Sequence, residues 1–257
     1  MTDHVDIGQD NSESGTRRRV ALVSGANRGI GLAIATALAE AGLTVLLGTR
    51  QLENGERVCA PLRQSGRDIR PVQLDTTDSS SVEALCALVA GEWGLLDVLV
   101  NNAGISLDHA PGMSLAERME STMQLNVVGT LRLIEGMLPL LEQGDHPCIV
   151  NISSELASFG LRADASWPYA EFALPAYQAS KAALNALTLS LARTLGPAGI
   201  RVNAVCPGYT ETDATRDAPV KPTRSPVEAA RVAVRLALDM SPDTTGTFSN
   251  ENGPLPW

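Results

Sequence analysis

Apolar and polar positions along this chain keep two rhythms in turn. Short runs rich in Val, Ile and Leu, at residues 20–24, 44–49, 69–74, 97–101, 148–153, 200–205 and 247–249, have the length and composition of strands. Longer stretches with helical spacing lie between them, at 29–41, 53–65, 80–93, 115–143, 175–195 and 226–238. Strands alternating with helices predict right-handed crossovers and a parallel sheet covered on both faces. Two stretches keep neither rhythm, 156–174 and 209–225. Both follow strand ends, where α/β folds place ligands.

With 44% hydrophobic and 19% charged residues, the 257-residue chain can bury a large core. The expected organisation is a flexible polar tail at 1–17 and a single folded domain at 18–257. A net charge of −9 removes any whole-molecule attraction to a phosphate backbone, so nucleic acid is not an expected partner. Cys59, Cys86, Cys148 and Cys206 lie far apart, without metal or redox spacing, and read as buried thiols in a reducing compartment. No stretch has the character of a signal core or membrane span, so a cytoplasmic location is expected. Eighteen arginines stand against two lysines, Lys181 and Lys221. That is the bias of a GC-rich genome, and each lysine is a position where the default cation was not used.

Between the first strand and the first helix lies Ser24-Gly25-Ala26-Asn27-Arg28-Gly29-Ile30-Gly31. Glycines there allow a tight turn, close approach of backbone to phosphate, and close helix–sheet packing, while the helix start offers free N–H groups to a pyrophosphate. Glycines also make plain turns, but this position after the first strand favours binding. Three further motifs follow: Asn101-Asn102-Ala103-Gly104, Asn151-Ile152-Ser153-Ser154, and Tyr177-Gln178-Ala179-Ser180-Lys181 at the head of a helix. Residues four apart share a helix face, so the phenol and the ammonium project together. A neighbouring cation favours the phenolate, so Tyr177 is expected below its reference value of about 10. Tyr169 has Ala173 four residues on and lacks such a partner.

The glycine spacing is not Gly-x-Gly-x-x-Gly. With the other motifs in this order it resembles the short-chain dehydrogenase/reductase family, and its carbonyl-reductase-like ketoreductases, over about residues 18–253. The resemblance implies a single-domain Rossmann fold with a doubly wound, seven-stranded parallel sheet flanked by helices on both faces. It implies a catalytic set of Asn126, Ser154, Tyr177 and Lys181, with Ser153 structural. Asn126, in Asn126-Val127-Val128-Gly129, either links Lys181 to a water chain or is a helix-surface residue. Cofactor contacts are implied for Gly25, Asn27, Arg28, Gly29, Ile30 and Gly31. Asp75 either meets adenine or caps a helix. Asn101 supports the sheet, Asn102 contacts the cofactor, and the backbone of Ala103 and Gly104 passes under the adenine ribose. Tyr177 and Lys181 lie at the nicotinamide ribose, and Pro207, Gly208, Thr212 and the backbone of Thr210 near the carboxamide.

Some positions depart from the family. Ser24 stands where Thr is usual. Ser154 and Tyr177 are 23 positions apart, more than the family's common interval, which implies an inserted segment carrying Trp167, Pro168, Tyr169 and Phe172. That segment either lies beside the active site, where Trp167 and Tyr169 would join Ser154 and Tyr177 against the substrate, or is a surface loop. The C-terminal residues 252–257 lack the usual Asp-Gly-Gly and are expected to pack on a neighbouring subunit.

The second strand ends Gly48-Thr49-Arg50. NAD sites commonly place a carboxylate there to hold the ribose diol. Thr49 takes that place, and Arg50 and Arg28 read either as holders of a 2′-phosphate or as surface arginines. NADP(H) is therefore the expected cofactor. The leading reading is NADPH-dependent reduction of a ketone or aldehyde, with a secondary-metabolite or aromatic polyketide ketone, as in antibiotic biosynthesis, suggested by the inserted aromatics. The alternatives are an NADP-dependent alcohol dehydrogenase in the oxidative direction and a non-catalytic NADP-binding regulator. The intact catalytic set argues against the regulator. The expected partners are a small carbonyl substrate and a second copy of the chain. The helix at 175–195 is small or apolar on nearly every face, as in a dimer or tetramer, unless the inserted loop blocks that contact.

Overall fold

The computed structural model describes residues 17–215 and 221–257, so the tail at 1–16 lies outside the described residues. Arg17 already belongs to the folded unit, since its guanidinium donates to both carboxylate oxygens of Asp97 at 2.8 Å.

The first half of the chain runs β1 (Val20–Val23), α1 (Gly29–Glu40), β2 (Thr44–Thr49), α2 (Leu52–Gln64), β3 (Ile69–Gln73), α3 (Ser79–Glu92) and β4 (Val98–Asn101). The second half runs α4 (Leu115–Met123), a π-helical turn (Gln124–Gly129), α5 (Thr130–Leu141), β5 (Cys148–Ile152), α6 (Phe159–Arg162) and α7 (Pro175–Leu195). It ends with β6 (Arg201–Val205), α8 (Pro226–Leu238), β7 (Phe248–Asn250) and β8 (Gly253–Pro254). The sheet order is β3-β2-β1-β4-β5-β6-β7-β8, parallel except for β8. The chain steps outward from β1 to β3, then crosses back to β4 on the other side. That reversal opens a crevice at the C-terminal ends of β1 and β4.

Successive side chains of a strand point to opposite faces, and both faces here are covered. Val23, Leu47, Val100 and Val150 pack with Ile34 and Leu38 of α1 and Ala233 of α8. Leu22, Leu46, Leu99 and Ile149 pack the other way, with Val82 of α3 and Leu133 and Met137 of α5. This two-sided burial is why the central strands read as unbroken apolar runs. β3 is an edge strand, and it alone holds a proline in its middle, Pro71.

One expectation needs correction and two gain detail. The sheet has eight strands rather than seven: β8 is a two-residue antiparallel addition that its Gly-Pro sequence conceals. The stretch at 115–143 is helical without a break from Leu115 to Leu141, but its middle, Gln124–Gly129, widens into a π-helical turn between α4 and α5. There Gly129 lies so close to Thr76 that a Cβ would come within 2.8 Å of its Oγ1, and Asn126 is turned fully inward. The C-terminal tail also packs on its own chain: Trp257 stacks on Phe248 with centroids 5.5 Å apart, and its backbone oxygen accepts from Gly160 N and Ser158 Oγ at 3.4 Å.

Candidate active site

The glycine turn is built for close approach. Gly25 and Gly29 hold positive φ, +61° and +57°, which L-residues with side chains rarely adopt. A Cβ on Gly25 would come within 3.0 Å of Ala103 Cα, and one on Gly31 would strike Asn102 and the Gly25 carbonyl. Asn27 lies half-buried in the turn, and Ile30 packs against the core beneath it. Arg28 is the N-cap of α1, and no side chain caps this helix, so its first N–H groups are available to an anion. This free cradle fits the pyrophosphate of a dinucleotide.

Ser24, which stands where the family usually has Thr, keeps a hydroxyl at the head of the turn. Its Oγ accepts from Asn102 N and Ala103 N, each at 3.0 Å, while Asn102 Nδ2 donates back to the Ser24 and Gly25 carbonyls at 3.0 Å. One small hydroxyl thus binds the glycine turn to the loop after β4. Asn101 supports the sheet as expected, donating from Nδ2 to Asn151 Oδ1 at 2.8 Å.

At the end of β2 the buried Thr49 donates to the Gln51 carbonyl at 3.2 Å, so no carboxylate stands there. Arg50 is exposed and makes no ion pair among the described residues. Arg28 pairs with Asp213, in the segment after β6. That segment lies against the glycine turn, since a Cβ on Gly29 would meet Thr212 Cγ2 at 3.6 Å. Thr210 Oγ1 is held by the Gly208 carbonyl at 2.9 Å and the Pro207 carbonyl at 3.5 Å. Asp75 does not cap α3; Asp78 does, accepting from Ser80 N. Asp75 Oδ1 instead accepts from Thr77 N and Oγ1 at 2.9 and 2.7 Å.

Beyond β5, Ser153 and Ser154 diverge. Ser153 Oγ is buried and donates to Asn185 Oδ1 at 2.6 Å, a structural bond. Ser154 is half-buried, its Oγ accepts from Leu156 N at 3.2 Å, and its hydroxyl lies near enough to that of Tyr177 to favour the phenolate. Lys181 Nζ donates to the Ile152 carbonyl at 2.7 Å and lies over the Tyr177 ring, 5.7 Å from its centre. Asn126 makes no hydrogen bond to Lys181. Its amide donates to the Ile105 carbonyl and Ser180 Oγ at 2.9 Å and accepts from Ile105 N at 2.8 Å. The two side chains still converge on Gly104, where a Cβ would lie 3.2 Å from Asn126 Oδ1 and 3.4 Å from Lys181 Nζ.

The expected lowering of Tyr177 does not occur. Loss of water around it pushes its hydroxyl up to about 12, the Cys206 thiol adds to the rise, and only the nearby Ser154 hydroxyl pulls it down. Burial pulls Lys181 down to about 8, with Cys206 opposing. Helix spacing places the two groups together, but loss of water disfavours the charged form of each and is the largest cause of both shifts. Tyr177 therefore holds its proton at neutral pH.

The inserted segment folds back on α7, where Phe172 O accepts from Arg162 Nη1 at 2.7 Å and Gln178 Nε2 at 2.8 Å. Trp167, Tyr169 and Phe172 form an edge-to-face cluster with Tyr209, with centroids 5.4 to 6.5 Å apart. Tyr209 escaped sequence reasoning, although it directly follows Pro207-Gly208. Among the described residues no group of His, Cys, Asp or Glu is placed to hold a metal ion, and no helix is long and apolar enough to cross a membrane.

Comparison with known proteins agrees with this geometry. The family model for short chain dehydrogenases matches residues 19–222. The chain is 32% identical to the 3-oxoacyl-[acyl-carrier-protein] reductase FabG of Escherichia coli, over 92% of this chain and 97% of that protein. It is 37% identical to cis-4-hydroxycyclohexanecarboxylate dehydrogenase of Sinomonas cyclohexanicum, over 85% and 84%. Among solved structures, the RhlG/NADP active-site complex of Pseudomonas aeruginosa superposes with a TM-score of 0.79 at 30% identity, covering 91% of this chain and 94% of that one. The Rossmann-type sheet, the free glycine cradle and these relatives together make this chain a member of the short-chain dehydrogenase/reductase family, an oxidoreductase of carbonyl or alcohol groups that uses a nicotinamide cofactor.

Proposed function

We propose that this protein reduces a ketone or aldehyde with NADPH, and that Tyr177 is the general acid. The observation that carries the reading is the convergence of Ser154, Tyr177 and Lys181 beyond β5, with the Ser154 hydroxyl acting on that of Tyr177 and the buried Lys181 ammonium lying over the Tyr177 ring. When bound, the cofactor supplies the hydride. Tyr177 then passes its hydroxyl proton to the carbonyl oxygen as charge develops there, and the Ser154 hydroxyl donates a hydrogen bond to the same oxygen. Lys181 stabilises the tyrosinate that remains, and Asn126 holds the backbone at Ile105 beside it.

Gly25, Asn27, Gly29, Ile30 and Gly31 would hold the pyrophosphate, Asn102 to Gly104 and Asp75 the adenosine half, and Pro207, Gly208, Thr210 and Thr212 the nicotinamide end. Arg50 and Arg28 would take the 2′-phosphate, which favours NADPH over NADH. Trp167 and Tyr169 would line the substrate side. The name of the FabG relative supports reduction, and that of the Sinomonas relative supports the oxidative direction on the same residues.

The test is turnover of ethyl acetoacetate, benzaldehyde and phenanthrenequinone with NADPH, run in parallel with oxidation of cyclohexanol by NADP. Tyr177→Phe should lose about 10²–10⁴-fold in rate while NADPH affinity barely changes. Tyr169→Phe should keep most activity. Loss confined to Tyr169→Phe would refute the assignment, and tighter NADH than NADPH would refute the cofactor.

A further inference from the structure

The helix that carries Tyr177 and Lys181 starts without a cap of its own. Leu174, at its N-cap, offers no side-chain bond, and Pro175 has no N–H. The first N–H made within the helix is that of Gln178, which donates to the Leu174 carbonyl at 2.8 Å. Ala176 and Tyr177 therefore have backbone donors that nothing nearby in sequence can satisfy.

Both go to one distant carboxylate. Asp108, in the loop after β4, is buried and accepts from Ala176 N through Oδ1 at 2.8 Å and from Tyr177 N through Oδ2 at 3.0 Å. Ser106 Oγ donates to Oδ2 at 3.2 Å, and Arg118 Nη1 fixes the Asp108 carbonyl at 2.6 Å. The same loop is bound to the glycine turn through Asn102 and to Asn126 through Ile105. One loop thus connects the candidate cofactor cradle, the π-helical turn and the first turn of α7.

We infer that Asp108 is a positioning residue for the proposed proton donor: its carboxylate caps α7 from across the site and sets where the Tyr177 hydroxyl lies relative to Ser154. The inference rests on the proposed role of Tyr177. Tyr177 is the third residue of α7, within the turn that frays when a cap is lost. Lys181 is one turn further on and keeps its own anchor at Ile152. Removing Asp108 should therefore disturb proton donation far more than cofactor binding.

The experiment compares wild type, Tyr177→Phe, Asp108→Ala and Asp108→Asn. A fifth protein, Val232→Ala, is altered in the core layer under α8 on the opposite side of the sheet. Each is assayed on the three carbonyl compounds with NADPH, for NADPH affinity by fluorescence, and for hydrogen exchange in the first turn of α7. Misplacing a reacting group by about 1 Å can cost about 100-fold. Asp108→Ala should lose about 10–100-fold in kcat with NADPH affinity within about threefold. Asp108→Asn, which keeps one acceptor, should fall between it and wild type. Val232→Ala should keep wild-type kcat even where its melting temperature falls as far. The Ala176 and Tyr177 amides should exchange at least about tenfold faster in Asp108→Ala, with β6 unchanged. Wild-type kcat in Asp108→Ala, a loss matched by Val232→Ala, or unaltered exchange in that turn would each overturn the inference. Equal turnover by wild type and Tyr177→Phe would instead overturn the functional reading, and the exchange result would still decide the cap.

Discussion

Lys181→Met should make this protein more stable at pH 7 and less stable at pH 10.5. Lys181 is only 4% exposed, and its pKa falls to about 8 from an ordinary 10.5. At about 1.36 kcal/mol per pH unit, that gap is about 3 kcal/mol of penalty for keeping the ammonium out of water. The sign follows from proton counts. Between pH 8 and 10.5 the unfolded chain binds this proton and the folded chain does not, so wild-type stability rises across that window. Below pH 8 both states are charged and the folded state carries the full penalty. Methionine removes the charge but leaves the Ile152 carbonyl without its donor, which costs about 1–2 kcal/mol. The net gain at pH 7 is about 1–2 kcal/mol, or roughly 2–8 °C in melting temperature for a domain of this size. Near pH 10.5 only the lost hydrogen bond remains and the order reverses. Thermal unfolding of both proteins from pH 6.5 to 10.5 measures the crossing. A variant less stable at pH 7, or an advantage independent of pH, would refute the reasoning.

Asp213→Asn should release Arg28 for a 2′-phosphate. The ion pair is 68% and 37% exposed, so it is worth at most about 1 kcal/mol, and the NADPH-to-NADH affinity ratio should rise by up to about fivefold. Parallel titration of both cofactors checks it, and an equal gain for both would show that only general repulsion was relieved. The open face of α7 carries Ala179, Ala182, Ala183 and Ala186 beside Phe159, which is 77% exposed, so sedimentation should find a homo-oligomer that Ala183→Glu dissociates. A wild-type monomer at micromolar concentration would contradict this.

The central strands were legible because burial on both faces leaves no polar interruption in their sequences. The four motifs were legible because each sits at a strand end or helix start, where local chemistry is written in a few consecutive residues. What escaped depends on contacts distant in sequence. The π-helical turn sets Gly129 against Thr76, 53 positions earlier, a contact that no pattern in residues 124–129 announces. β8 exists only because β7 is there to receive Gly253. Tyr209 gains meaning from Tyr169 and Phe172, and Asp108 from Ala176 and Tyr177. The Tyr177 pKa escaped for another reason: spacing reveals a neighbour, whereas the direction of the shift depends on how much water is removed.

Loss of water also explains why a lysine stands at 181 in a chain with eighteen arginines. A guanidinium has a pKa above about 12 and cannot lose its proton in a protein, so at this depth it would be a permanent buried charge. It would also need partners for five donors, where Lys181 has a single acceptor in the Ile152 carbonyl. An ammonium held near pH 8 is different. It is charged at neutral pH, able to stabilise a tyrosinate on the proposed mechanism, and close enough to its own titration to give up a proton and recover it. The burial that destabilises the fold by keeping Lys181 from water is thus the same burial that makes its proton exchangeable at working pH. The stability cost measured through Lys181→Met and the proton resupply that the reaction needs have one physical cause.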